Sequence, residues 1–303
     1  LIRAVAPLLA DKTTEPPVIS VSDDGTVVVP LLGGHHGANR LARDIAVALG
    51  GTAAVTTAGD VSLGVSLDEP PQGWALVNRV DAKDAMAALL AGGGAAILGD
   101  EKAKASWLAD LPAGDAVRLT CGIAPQVDLG SHHLQFAPQR VTVGVGCARN
   151  CPPQELEDLV RAALLNAGVC DAAVHSVNTI SLKADEPAIL DLAASLGAPL
   201  RLFSAVELEA ETPRLATPSD VVFAEVGCHG VSEAAALAQI GSDGTLWVQK
   251  RKTANATVAL GLSPEPMTSL QGTPRGRLSV VGIGPGQAAW RTPEVSRLVA
   301  DAQ

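Results

Sequence analysis

VVVPLLGGHHGANRLARDIAVALG, residues 27–50, carries in succession the patterns of a strand, a glycine-rich turn and a helix. The β-branched apolar run over residues 27–32 predicts the strand. Apolar side chains then recur at helical spacing, at Leu41, Ile45, Ala48 and Leu49. Because backbone amides at the start of a helix carry partial positive charge, such a turn is a natural place to hold a carboxylate or a phosphate. A close-approaching ligand explains this glycine-rich turn more easily than the needs of folding alone.

The composition of the whole chain favours an α/β protein. The 303 residues are rich in small aliphatic types, only 2% are aromatic, and tyrosine is absent. Buried aliphatic runs suit parallel strands, and a chain of this length can form several domains. Strand and helix patterns alternate along most of the sequence. We therefore expect a multi-domain α/β fold with mostly parallel, doubly wound sheets and helices on both faces.

Charge and cysteine content argue against several classes of protein. The net charge of -10, without a basic run interleaved with aromatics, argues against a nucleic-acid partner. No unbroken apolar run is long enough to span a membrane, and residues 1–10 lack the pattern of a signal peptide, so we expect a soluble cytoplasmic protein. The five cysteines do not form a disulfide framework. Cys147 and Cys151 have no second pair at zinc spacing, so we expect no metal site.

Changes in composition and in strand and helix patterns along the sequence predict five regions. They are an N-terminal region that is truncated at its start (1–57), a middle region (58–138), a carboxy-terminal domain (139–262), a proline-bearing linker (263–277) and the truncated start of a further domain (278–303). The linker is expected to be mobile, because it combines proline with glycine and precedes an isolated strand and helix.

Four local predictions bear on the site. Residues 52–57 read as a strand, and the pair His132 and His133 as a polar turn. Ser232 is expected to cap a helix over residues 233–240. The basic cluster at residues 250–252 is expected to lie between two strands.

Several stretches resemble the CbiG family of cobalt-precorrin-5A hydrolases. They are LLGGHHGANRLARDIA, TISLKADEPAILDLAASLG, FSAVEL, VSEAAAL and VQKRKTANATVAL. The resemblance extends from residue 1 to about residue 262 and is weakest in the middle. It implies that the hydrolase part needs no cofactor of its own, since any cobalt is carried by the substrate.

The terminal stretch RLSVVGIGPGQAAWRTPEV resembles the start of precorrin methyltransferases that use S-adenosylmethionine. This resemblance implies a fusion of the hydrolase with precorrin-3B C(17)-methyltransferase. Gly282, Gly284 and Gly286 would then belong to the cofactor-binding loop. The rest of that site would lie in the missing domain, so we expect no methyltransferase activity from these residues alone.

The reaction that the resemblance implies opens a δ-lactone on a cobalt-bound contracted tetrapyrrole and expels acetaldehyde. It requires a base that activates water, an acid or a cation at the oxyanion, and anchors for carboxylate side chains. The candidate catalytic residues are His35, His36, Glu186 and Glu233. The candidate substrate-binding residues are Gly33, Gly34, Gly37, Asn39, Arg40, Lys183 and Lys250.

A structural interpretation competes with the functional one at these positions. His35 and His36 can simply satisfy the turn backbone, and Lys183 with Glu186 can form an exposed pair of little energetic consequence. Glu233 can simply complement a helix dipole. The functional interpretation places the 33–37 turn at a cleft between the first and third regions, with Lys183 or the basic cluster on the opposite wall.

A second class of function is left open. The chain can instead be a non-catalytic tetrapyrrole-binding or carrier module for the fused methyltransferase. Under both interpretations the expected partner is an anionic tetrapyrrole, with neither nucleic acid nor membrane, and a homodimer is left open.

Overall fold

The computed structural model of the chain describes residues 16–34, 37–55, 62–127, 130–276, 282 and 292–300. The strands are β1 (Val18–Val21), β2 (Val27–Leu32), β3 (Thr52–Ala53), β4 (Trp74–Leu76), β5 (Ala95–Leu98), β6 (Val117–Cys121), β7 (His133–Pro138), β8 (Val141–Cys147), β9 (Val174–Ile180), β10 (Leu200–Phe203), β11 (Thr245–Lys252), β12 (Ala256–Leu262) and β13 (Thr273–Pro274). The helices are α1 (Ala38–Leu49), α2 (Ala82–Leu90), α3 (Pro153–Ala167), α4 (Pro187–Leu196), α5 (Ala205–Glu209), α6 (Asp220–Val226), α7 (Ser232–Ile240) and α8 (Pro293–Ala300). None of the helices in these ranges is long and apolar enough to cross a lipid bilayer.

The strands form one sheet in each of the first three predicted regions. The first unit has the order β1-β2-β3, and Val28 packs there against Ala42 and Ala46 of α1. The middle unit has the order β4-β7-β6-β5 around a core that includes Leu119, Leu134 and Phe136. The third and largest unit has the order β11-β12-β8-β9-β10-β13.

Helices cover both faces of the third sheet. On one face, Val143 and Val145 of β8 share a core with Leu156 of α3 and Ile189 of α4. On the other face α7 lies directly against β8. The approach is so close that a Cβ added to Gly144 would lie 2.7 Å from Ala236 N and still closer to the Ser232 carbonyl oxygen. Glycine at position 144 is therefore what allows the helix to approach the strand.

The predicted multi-domain α/β class is confirmed, but the expectation of mostly parallel sheets is too strong. In the third sheet β8, β9 and β10 are parallel, whereas β12, β11 and β13 are added at the edges in antiparallel pairs. The other two sheets also combine parallel and antiparallel pairs. Short connections explain part of this, because the few residues between β11 and β12 permit only a hairpin.

The four local predictions need correction. Of the strand expected at residues 52–57, Thr52–Ala53 form β3 and residues 56–57 lie outside the described residues. His132 lies in a turn as expected, whereas His133 begins β7. Ser232 is the first residue of α7 and makes no side-chain cap bond, since Val231 occupies the N-cap position. The basic cluster forms the end of β11, because the strand continues to Lys252.

The segment expected to be a mobile linker is hydrogen-bonded to the third unit. Ser263 N donates to the Arg140 carbonyl at 2.9 Å, and the Ser269 carbonyl accepts from Gln239 Nε2 at 3.3 Å. Farther along, β13 pairs with the edge strand β10. Residues 263–274 therefore complete the third unit, while most of the expected further domain lies outside the described residues.

Candidate active site at the carboxyl edge of the third sheet

The carboxyl ends of two parallel strands bring the candidate residues of the third unit together. Because β8 and β9 are parallel neighbours, the loops that follow them leave the sheet at the same edge. Each loop leads into a helix that has proline in its first turn, α3 and α4 respectively. Ligands of α/β proteins commonly bind outside this edge.

Glu186 joins the two loops. Its side chain is only 1% exposed, and Oε1 accepts a hydrogen bond from Asn150 N at 2.8 Å. Oε2 lies 3.6 Å from Lys183 Nζ and 3.6 Å from Arg149 Nη1. The burial of this carboxylate favours a role in positioning its neighbours over direct contact with a substrate.

Asn150 is held in a left-handed backbone conformation, with φ at 58°. Asparagine tolerates this conformation better than most residues that carry a Cβ. The bond from its amide to Glu186 lies at the bend before α3. The loop after β8 is thus fixed by a contact with the loop after β9.

Lys183 places at this edge an ammonium group whose N–H donors are only partly occupied by protein. Its side chain is 15% exposed, and among the described residues its ion-pair partner is the buried Glu186. An ammonium group has three N–H donors, so one carboxylate at 3.6 Å leaves donors for a ligand oxygen. Lys183 is therefore placed to bind an oxyanion or a carboxylate.

Arg149 ties the two loops together on the outside. Its Nη1 lies 2.6 Å from Asp185 Oδ1, and its Nη2 donates to the Leu182 carbonyl at 2.6 Å. These contacts occupy the guanidinium with protein partners. Arg149 therefore holds the two loops together and is less suited to binding a ligand.

The two cysteines of the loop are poor nucleophiles. Burial raises the pKa of the Cys147 thiol to about 12, although Lys183 acts in the opposite direction. Burial also raises the pKa of Cys151. Since the thiolate is the reactive form, both side chains are neutral thiols near neutral pH. Within the described ranges, His, Cys, Asp and Glu side chains form no group of three or more that could hold a metal ion.

Glu233 is committed to protein donors. Its carboxylate accepts from Ala216 N at 2.9 Å, from Thr217 N at 3.0 Å, from Thr217 Oγ1 at 3.0 Å and from Lys250 N at 2.8 Å. Lys250 Nζ in turn donates to the Thr217 carbonyl at 3.1 Å. This arrangement favours the structural interpretation of Glu233 and Lys250, which together fasten the segment before α6 to β11.

Arg251 and Lys252 extend the positive charge along the same edge, and they belong to the basic cluster that the sequence suggested as a wall of the site, although only Lys250 was a candidate binding residue. Lys252 pairs with Thr257 of β12, which pairs with Gly146 near the end of β8. Both basic side chains are exposed. Strand alternation does not select both residues together, since successive side chains of β11 point to opposite faces.

The glycine turn of the first unit is described except for His35 and His36, which lie outside the described residues. Gly33 and Gly37 have φ values of 71° and 94°, which favour glycine. The following helix has neither a side-chain N-cap bond nor an acidic residue in its first turn. Asn39 is 5% exposed, and a Cβ on Gly34 would lie 3.4 Å from its Oδ1.

Arg40 faces the middle unit. The sequence had instead suggested that this turn faces a cleft between the first and third units. Its Nη1 lies 3.8 Å from Glu69 Oε1. A cavity of about 200 Å³ lies beside it, and its lining comes from the first and middle units. The anion-binding role of Arg40 stays a prediction. The wall opposite Arg40 belongs to the middle unit and not, as the sequence had suggested, to the third unit.

Solved structures of related proteins were compared with the chain. A crystal structure of CobE, a protein from the cobalamin (vitamin B12) biosynthetic pathway, is 33% identical, with 42% of this chain and 93% of that chain covered and a TM-score of 0.40. A putative cobalamin biosynthesis protein G homolog from Sulfolobus solfataricus is 21% identical, with coverages of 86% and 78% and a TM-score of 0.35.

Sequence comparison establishes the family. The model of the cobalamin synthesis G N-terminal region matches residues 1–60, and that of the G C-terminus matches residues 141–261. A cobalt-precorrin-5A hydrolase of Priestia megaterium is 29% identical over 87% of this chain and 76% of its own length. The cobalt-precorrin-5A hydrolase of Salmonella typhimurium is 28% identical over 86% and 79%. Protein CobE of a Sinorhizobium species is 43% identical over 43% of this chain and 86% of its own length. The chain therefore belongs to the CbiG family of cobalamin-synthesis proteins.

Proposed function

We propose that the chain hydrolyses the δ-lactone of cobalt-precorrin-5A and releases acetaldehyde. The observation that carries this proposal is Lys183, a largely buried ammonium with unfilled donors at the carboxyl edge of β8 and β9. The two relatives named cobalt-precorrin-5A hydrolases support the same reaction.

Lactone opening makes a specific demand on the site. Water adds to the lactone carbonyl, negative charge develops on its oxygen, and the ring oxygen then leaves as a hydroxyl group. A preorganised cation beside the developing oxyanion lowers this barrier, and Lys183 is the residue we assign to that task. Buried Glu186 holds Lys183 in place as a positioning residue.

The release of acetaldehyde follows from the hydroxyl group that hydrolysis sets free. Removal of its proton lets the oxygen form a carbonyl while the neighbouring carbon–carbon bond breaks. The electron pair of that bond stays on the macrocycle and takes up a proton, so no oxidant is needed. We assign the proton transfers to His35 and His36, whose residue type suits general acid–base work near neutral pH.

The substrate class fits the distribution of charge. A tetrapyrrole with several carboxylates must bind a protein of net charge -10, so local positive potential has to outweigh the global field. Lys183 and the exposed pair Arg251 and Lys252 supply such potential at one sheet edge. We propose that they receive the anionic tetrapyrrole, that cobalt arrives with this substrate, and that the hydrolase part requires no cofactor.

The non-catalytic module is the second candidate function. The observation that favours it is the match of 133 residues of this chain, at 43% identity, to most of Protein CobE, which lacks a counterpart of the rest of the chain. Such a module would keep the cations of the sheet edge and bind a tetrapyrrole without cleaving it.

We also propose the fusion with a precorrin-3B C(17)-methyltransferase. The support is the sequence of residues 277–295 and its GIGPG loop. Of the three loop glycines the structure describes Gly282, while Gly284 and Gly286 lie outside the described residues. We therefore assign binding of S-adenosylmethionine to this loop by resemblance alone and derive no chemistry from it.

Incubation of the purified chain with cobalt-precorrin-5A separates the two candidate functions. A hydrolase releases one equivalent of acetaldehyde per lactone opened, which a coupled NADH-dependent alcohol dehydrogenase measures. Saturable binding of the intermediate without acetaldehyde would identify a binding module instead.

A further inference from the structure

The cavity between the first and middle units has the composition of an anion site. It measures about 200 Å³ and is lined by Arg40, Arg43, Gly64, Val65, Ser66, Glu69, Pro70, Pro71 and Trp107. Two guanidinium groups and one carboxylate leave the lining with a positive balance. This positive balance contrasts with a chain whose net charge is -10.

The guanidinium of Arg40 is placed at the seam of the two units. Nη1 is 3.8 Å from Glu69 Oε1, which is too long for a hydrogen bond. Nη2 is 3.5 Å from the position that a Cβ on Gly37 would take. Its side chain is 50% exposed. Glu69 thus orients Arg40 without filling its five N–H donors.

Trp107 gives the cavity a rigid wall. Its ring packs edge-on against Phe136 at 5.0 Å and against Trp74 at 6.2 Å. Its indole Nε1 is buried and has no hydrogen-bond partner among the residues that the structure describes. Trp107 therefore forms a packed, apolar part of the lining.

We propose that this cavity binds one carboxylate arm of an anionic ring system. Arg40 and Arg43 bind the carboxylate, and Trp107 contributes apolar surface to the lining. Pockets that enclose a whole drug-sized ligand measure about 300–1,000 Å³. A cavity of about 200 Å³ therefore fits a side arm and not a macrocycle. The identity of the ring as a tetrapyrrole rests on the proposed function, whereas the carboxylate chemistry rests on the cavity.

Binding of uroporphyrin III, a porphyrin with carboxylate arms, tests this inference on the full chain at fixed ionic strength. Titration followed by porphyrin fluorescence gives the Kd for the wild type, Arg40→Gln and Arg43→Gln. Arg118→Gln is the matched control, because this exposed arginine lies in the middle unit outside the cavity. Loss of a charged hydrogen bond predicts a Kd that rises about 10-fold or more in each cavity variant. Arg118→Gln is expected to stay within about twofold of the wild type, as an exposed charge far from the ligand is screened.

Further outcomes separate this inference from the proposed function. A Kd that is unchanged in both cavity variants, or a wild type without saturable binding, overturns the carboxylate site. Arg40→Lys keeps the charge but not the fork of donors, and it should recover only part of the affinity. Weakened binding in the cavity variants of a chain that releases no acetaldehyde would support the carboxylate site and overturn the hydrolase activity.

Discussion

Glu186 accepts a hydrogen bond from the backbone amide of Asn150, with 2.8 Å between Oε1 and N, although the two residues lie in different loops. The same carboxylate lies 3.6 Å from Lys183 Nζ. One buried side chain therefore sets both the path of the loop after β8 and the position of the ammonium group.

Replacement of Glu186 by alanine should lower the free energy of unfolding by about 1–3 kcal/mol, because it leaves a part-buried amide without a partner. Urea unfolding measures the change. Asp185→Ala is the control, since it removes only an exposed ion pair with Arg149, and such pairs contribute little to stability. Equal losses in the two variants would contradict the role assigned to Glu186.

Replacement of Gly144 by alanine should destabilise the third unit by about 1–3 kcal/mol or more, because the added methyl group enters the backbone of α7. The midpoint of urea unfolding reports this loss. Within the described part of the chain a Cβ on Gly130 has no atom within 4 Å, so Gly130→Ala is the matched control with little expected effect. An unchanged midpoint for Gly144→Ala would mean that α7 does not lie on β8 as described.

A buried thiol, Cys121, and a half-buried thiol, Cys147, predict a loss of stability in alkali. Burial raises the pKa values of Cys121 and Cys147 from the ordinary value of 9.0 to about 12. The folded chain therefore keeps these protons where the unfolded chain releases them. Their stabilising contribution is complete below pH 9 and is lost as the pH rises towards 12.

Urea unfolding at several pH values between 9 and 11 tests this prediction by comparison of the wild type with Cys121→Ala and Cys147→Ala. Lysines also titrate in this range, so the informative quantity is the difference between profiles. The wild type should lose stability more steeply than either variant. Parallel profiles would show that the thiols are not buried.

Gln239 should protect the segment 263–274 from proteolysis. Its Nε2 donates to the Ser269 carbonyl at 3.3 Å, and its Oε1 accepts from Gln271 N at 3.2 Å. Gln239→Ala should increase chymotryptic cleavage after Leu270, which mass spectrometry detects, while exposed Gln249→Ala should not. Rapid cleavage of the wild type at Leu270 would restore the original prediction of a mobile linker.

Local signals in the sequence mark the bounds of two helices of the third unit. Proline near the first turn and glycine after the last residue mark α3 and α4, and the described helices end before Gly168 and Gly197 in left-handed conformations. These signals act within a few residues of each helix end. They therefore do not depend on the rest of the fold.

The division of roles within the site could not be read from the sequence. From the sequence, Lys183 and Glu186 could both belong to an exposed ion pair. Glu186 is in fact buried, and its contacts with Asn150 and Arg149 come from another loop. Glu233 likewise owes its hydrogen bonds to residues 216, 217 and 250. Contacts at such sequence separation depend on strand order, which a single sequence does not display. The positions of His35 and His36 stay predictions.

The central claim is that the ammonium of Lys183 stabilises the oxyanion of lactone opening, and the rate of acetaldehyde release in a single turnover of cobalt-precorrin-5A tests it most directly. Lys183→Met keeps much of the side-chain length without the charge, and the exposed Lys83→Met on α2 is the control. The account predicts a loss of about 100-fold or more for Lys183→Met, as for removal of an oxyanion donor, and an unchanged rate for Lys83→Met. A Lys183→Met variant that folds and releases acetaldehyde at the wild-type rate would contradict the account.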